Sequence, residues 1–190
     1  MSRPVLLLAL AVSVLLTVAP TPARTAQDYV PPVTHEDRTS VSVWFARVKK
    51  TGKWCEFDRQ TLNRRSGRDE LIGGEFGWAR FTGRHLQSVT YARQSEDAYV
   101  EDRYYVGSKN EVQKMVRTGH YIAGPWVSVT FEPDGAGHLR LSARSKAVVR
   151  KMTADNQETY YVEWNHFSKL SQIPFSRLLK RGSGQTRSMC

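Results

Sequence analysis

Residues 126–145 read WVSVTFEPDGAGHLRLSARS. Apolar and polar side chains alternate on both sides of Pro133-Asp134-Gly135, a turn-forming tripeptide, and this pattern predicts a β-hairpin. In its second arm Leu139, Leu141 and Ala143 point inward. That leaves His138, Arg140 and Arg144 on the opposite face, with Lys146 continuing a basic stripe, the first candidate for binding an anion or a partner.

The same period-two alternation recurs along the chain. SVSVWFARV (40–48) places Val41, Val43 and Phe45 on one face, and EFGWARFT (75–82) and LQSVTYAR (86–93) flank the turn GRH. AYVEDRYYV (98–106) and ETYYVEW (158–164) have the aromatic and β-branched density of strands. Two helices are expected among them. SKNEVQKMVRTG (108–119) carries Ser108 and Glu111 as a capping box, an apolar stripe of Val112, Met115 and Val116, and Gly119 as a stop. IPFSRLLKRG (173–182) has Pro174 in a first turn, Leu178 and Leu179 for packing, and Gly182 as its end. The expected class is α+β: a mainly antiparallel sheet of hairpins with two short helices, in one domain over 40–181. VSVWF at 41–45 recurs as VSVTF at 127–131, and WARFT at 78–82 as WNHFS at 164–168, both at an offset of 86 that would suit two related halves.

Outside that body the chain changes character. Arg3 precedes a 15-residue apolar run, Val5–Ala19, and small residues lead to Ala23, the pattern of a secretory signal peptide over 1–23. The run is short for a bilayer core that needs about 20 residues. An exported protein is expected, periplasmic or extracellular, with no transmembrane segment in the mature chain. Residues 24–39 read as an extended leader and 182–190 as a flexible tail. Removing the signal peptide takes one charge, Arg3, from 28 basic residues, and 18 acidic residues remain, for a net of +9.

Export changes the meaning of the two cysteines, Cys55 and Cys190. In an oxidising compartment a disulfide between them is the expected state, ahead of a free or intermolecular Cys190. The terminal position of Cys190 does not fit prenylation. No Cys-x-x-Cys pair or histidine cluster suggests a metal, and no base stands beside Cys55 in KWCEFD to activate a nucleophile.

The familiar catalytic signatures, from Gly-x-Ser-x-Gly elbows to phosphate-cradling glycine loops, do not occur, and no cofactor or metal is expected. Two candidates for a cleft remain. In 98–106 the alternation puts Asp102 on the same face as Ala98, Val100, Tyr104 and Val106. This could mark an acid with a raised pKa, although an arginine partner explains it more simply. GHYIAGPW (119–126) would form a loop presenting His120, Tyr121 and Trp126.

Charge supplies the remaining signal. Residues 43–68 hold eight basic side chains against two acidic ones, and from Trp164 to the end there are five and none. Such surfaces attract polyanions over about 8–10 Å. For an exported chain the expected partner is an anionic envelope polymer, a lipid headgroup or another protein, rather than nucleic acid. The leading expectation is a non-catalytic binding protein. The alternatives are a small hydrolase-like enzyme with a cleft near His120 and Asp102, or an inhibitor or immunity-type protein.

Overall fold

A computed structural model describes residues 40–121, 126–155, 159, 162 and 164–179. The predicted signal peptide, the leader, the tail and Cys190 lie outside the described residues. The described chain forms a sheet-rich domain of eight strands: β1 (Ser40–Val48), β2 (Trp54–Phe57), β3 (Leu71–Thr82), β4 (His85–Gln94), β5 (Ala98–Val106), β6 (Val112–Tyr121), β7 (Val127–Pro133) and β8 (Leu139–Leu141). Their order is β2-β1-β3-β4-β5-β6-β7-β8 and every pairing is antiparallel. From β3 onward the sheet is a simple meander, as the run of alternating segments separated by short turns requires. At the β3–β4 turn Gly83 adopts φ 59°, a conformation that favours glycine.

Three helices accompany the sheet, α1 (Arg59–Gly67), α2 (Ala143–Ala154) and the single turn α3 (Ser176–Leu179), with a 3-10 turn at Leu170–Gln172. Alternation sends one set of side chains to a core face, where Phe45, Ala79, Val89, Tyr91, Val100, Tyr104, Met115, Val129 and Phe131 are buried. Met152 of α2 and Val162, Ile173 and Phe175 of the C-terminal segment roof that face. Phe175 stacks on Phe45 with ring centroids 4.5 Å apart and sits directly over Gly77. A smaller cluster occupies the other face at the β1–β2 end, where Trp44, Ala46, Cys55 and Phe57 pack against Leu62 of α1.

Three expectations need correction. Residues 112–119 form β6, not a helix. Met115 and Arg117 turn inward beside β5 and β7, and a central strand with partners on both sides outweighs a local capping pattern. Ser108 belongs instead to the β5–β6 turn, closed by Asn110 at φ 60°. The second hairpin arm ends at Leu141, because Ser142 caps α2, its hydroxyl accepting from the Ser145 amide at 3.3 Å. Ser145, Val149 and Met152, spaced i, i+4, i+7, form the inward stripe of that helix. Of the segment expected as a last strand, the described residues Thr159, Val162 and Trp164 are not in a strand. Of the two repeated stretches, VSVWF and VSVTF both lie in strands, β1 and β7, whereas WARFT lies in β3 and 164–168 is irregular. The sequence reading also missed α1, whose cap is well formed. Asp58 accepts from the Thr61 amide and hydroxyl, each at 2.8 Å, and these bonds hold its carboxyl below the usual range.

Candidate functional site

The apolar face of β5 does carry Asp102, and it is fully buried at 0% exposure. Its direct cross-strand neighbour on β6 is Arg117, also 0% exposed. The Arg117 Nε donates to Asp102 Oδ1 at 2.6 Å and Nη2 to Oδ2 at 2.8 Å, a bidentate pairing that uses both carboxylate oxygens. Arg93 of β4 adds a third bond, Nη2 to Oδ2 at 3.0 Å. The arginine-partner reading therefore holds.

These cations reach beyond the sheet. Arg117 Nη1 donates to the carbonyls of Val162 at 3.0 Å and Trp164 at 2.6 Å, and Arg93 Nη1 to that of Asn165 at 3.0 Å. The Arg93 guanidinium also lies 5.6 Å from the centre of the Tyr91 ring and 5.2 Å from that of Trp164. One residue pair on, the Phe167 amide donates to the Tyr104 hydroxyl at 3.1 Å. Burial, with the charge of Asp102, pushes the Tyr104 hydroxyl well above its ordinary pKa. Beside this cluster, burial and then the Arg117 charge push the His166 imidazole down. The arrangement is a clasp that fixes an irregular segment onto the sheet by satisfying its carbonyls with buried charge. Arginine takes three of the roughly four acceptor positions of the Asp102 carboxylate, and the group is fully buried.

The second half of the expected cleft is elsewhere. His120 pairs with Tyr99 across β5 and β6 and lies on the opposite face of the sheet from Asp102 and Arg117. Its ring sits 4.1 Å from that of Trp126 and 6.1 Å from that of Tyr99. Tyr121 ends β6 opposite Ala98, so Gly119, His120 and Tyr121 belong to a strand rather than to a loop. His120 and Asp102 thus form no common cleft. On the His120 face the perturbed carboxylate is Glu101, which sequence reading missed. Burial pushes its pKa up against the opposing pull of Arg103, whose Nη2 is 3.2 Å away, and of the Tyr99 hydroxyl at 3.0 Å. Alternation pointed to Asp102 because its neighbours are apolar, and it gave no sign that Glu101 would be covered.

The basic stripe also divides. His138 and Arg140 both lean on Asp134, at 3.6 and 3.2 Å. That aspartate is held below its usual pKa, chiefly by the His138 amide. Arg144 and Lys146 are exposed on α2, two positions apart, and so point to different sides of the helix. The four residues do not share one face.

The exposed cations of the 43–68 run are better placed. On α1 and its C-cap, Arg59, Arg64 and Arg68 are exposed and make no side-chain hydrogen bond or ion pair with a described residue, and Lys50 and Lys53 are likewise open on the β1–β2 turn. The other three members of the run are engaged: Arg47 Nε donates to the Gly52 carbonyl at 3.3 Å, Lys49 pairs with Asp69 at 2.6 Å, and the Arg65 guanidinium lies 5.3 Å from the Phe57 ring centre. Cys55 of β2 is fully buried behind this surface. Among the described residues no group of three or more His, Cys, Asp or Glu side chains is placed to hold a metal ion, and no helix is long and apolar enough to cross a membrane. Compared with protein families, with curated proteins and with solved structures, the chain matches none.

Proposed function

We propose that this is an exported binding protein that docks on an anionic envelope surface, through the cations of α1 and the β1–β2 turn. The observation that carries the reading is the group of five open side chains, Lys50 and Lys53 on the turn before β2 and Arg59, Arg64 and Arg68 on α1 and its C-cap after it. The hairpin stripe supports it less, since Arg140 already pairs with Asp134. An anionic lipid headgroup or acidic polymer has the chemistry to meet such a surface, each cation near an anionic membrane contributing about 1 kcal/mol. Purified protein mixed with vesicles of phosphatidylglycerol and phosphatidylcholine should sediment with them at about 0.05 M salt. It should be released as salt approaches 0.5 M, where the Debye length falls to roughly 4 Å. Equal retention on vesicles of phosphatidylcholine alone would rule the reading out.

Export would also place Cys55 and Cys190 where thiols oxidise, and the proposed state is a disulfide between them. The intact mass of secreted protein, alkylated without reduction, should equal that of residues 24–190 less two hydrogens. A mass carrying two alkyl groups would show both thiols free and remove the disulfide from the account.

A further inference from the structure

At the end of the core face, between the β3–β4 and β5–β6 turns, the 3-10 turn and α3 leave a cavity of about 510 Å³. Four apolar side chains line it, Phe81 and Leu86 from the sheet and Leu170 and Leu179 from the C-terminal segment, beside Asn110 and two serines. Two arginines, Arg84 and Arg177, line the same cavity. Both are exposed, and neither makes a side-chain hydrogen bond or ion pair with a described residue. Leu86 and Asn110 also line an adjoining cavity of about 360 Å³, and among the described residues no carboxylate lines either space. Apolar side chains and two guanidinium groups in one concavity offer complementary partners to the two ends of an amphiphilic acid, arginine matching a carboxylate in geometry as well as charge.

We infer that this cavity is a binding site for a single-chain amphiphilic acid, its acyl chain on the Phe81–Leu86–Leu170–Leu179 floor and its carboxylate on Arg84 and Arg177. The volume lies in the range of small-molecule sites, about 300–1,000 Å³. Charge complementarity fixes the sign of the headgroup, since the described lining residues offer guanidinium donors and no opposing acid. The apolar floor separates the site from a simple anion site, which needs no such surface. It is distinct from the docking surface on α1 and the β1–β2 turn, and does not depend on it.

The test is calorimetric titration of the full mature chain with dodecanoate below its micelle concentration, beside butanoate and dodecan-1-ol. Dodecanoate should saturate at one per chain. Butanoate, lacking the chain, and dodecanol, lacking the charge, should each bind at least about 10-fold more weakly. Arg84→Gln and Arg177→Gln should each weaken dodecanoate about 10-fold, as expected for a hydrogen bond to a charged group. Charge reversal at Arg59, Arg64 and Arg68 should change that affinity less than about 2-fold. Dodecanol binding as tightly as dodecanoate, full affinity in the double arginine variant, or no saturable binding would each overturn the assignment. Loss of vesicle binding with dodecanoate binding intact would instead count against the docking surface alone.

Discussion

Arg117→Met is expected to destabilise the protein by about 3–5 kcal/mol, measured by urea unfolding. The side chain is fully buried and its charge is bound to Asp102, so methionine would leave that carboxylate buried with Arg93 as its remaining ion-pair partner. The same change removes the donor from two carbonyls of the roofing segment, those of Val162 and Trp164. Asp102→Leu combined with Arg117→Met should recover part of the loss, because the pair is then absent rather than half-present. Recovery should stay incomplete, since neither leucine nor methionine can donate to those carbonyls. A cost below about 1 kcal/mol for Arg117→Met would mean that the clasp does not hold the segment.

Gly77→Ala should cost about 2–3 kcal/mol for a single methyl group. A Cβ at this position of β3 would run into Cζ and Cε1 of Phe175 and come within 2.7 Å of the Thr90 carbonyl oxygen. Neither neighbour yields easily. The Phe175 ring is stacked on Phe45, and the oxygen belongs to the backbone of the adjacent strand β4. Phe175→Leu should relieve part of the clash, giving a favourable coupling above about 1 kcal/mol in a double-mutant cycle. Strict additivity would show that Phe175 is not seated over this glycine.

Much of the sheet was legible because half-buried strands write their faces into the sequence. The pairs 75–82 with 86–93, and 126–133 with the first residues after the Asp134 turn, were read as hairpins and are hairpins. The errors arose where local and tertiary signals compete. Val112, Met115 and Val116 satisfy a helical stripe, yet two of the three are β-branched, and Met115 and Arg117 alternate with Lys114 and Val116 as a strand requires. Residues 142–145 were read as strand because the serine cap looks like a polar strand position until the stripe Ser145, Val149, Met152 is followed further.

The site was legible to a similar degree. Asp102 stood out on an apolar face, but its partner could not be named while 108–119 was read as a helix. A turn at Gly107–Asn110 places Val112 opposite Val106, an irregularity at Gln113 shifts the register by one so that Lys114 faces Tyr105, and Arg117 then falls opposite Asp102. The same register carries His120 to Tyr99 and onto the other face, which separates it from the acid with which it had been grouped. The cation surface was present in the composition of 43–68, and became a surface when α1 brought Arg64 and Arg68 one turn apart.

Vesicle affinity of two charge-reversed proteins, compared side by side at about 0.1 M salt, tests the proposed function most directly. One carries glutamate at Arg59, Arg64 and Arg68, the other at Arg140 and Arg144. The first should lose at least about 100-fold in affinity for phosphatidylglycerol vesicles, at about 1 kcal/mol for each cation removed, and the second less than about 10-fold. Equal losses in the two proteins, or an unchanged affinity in the first, would contradict docking through α1.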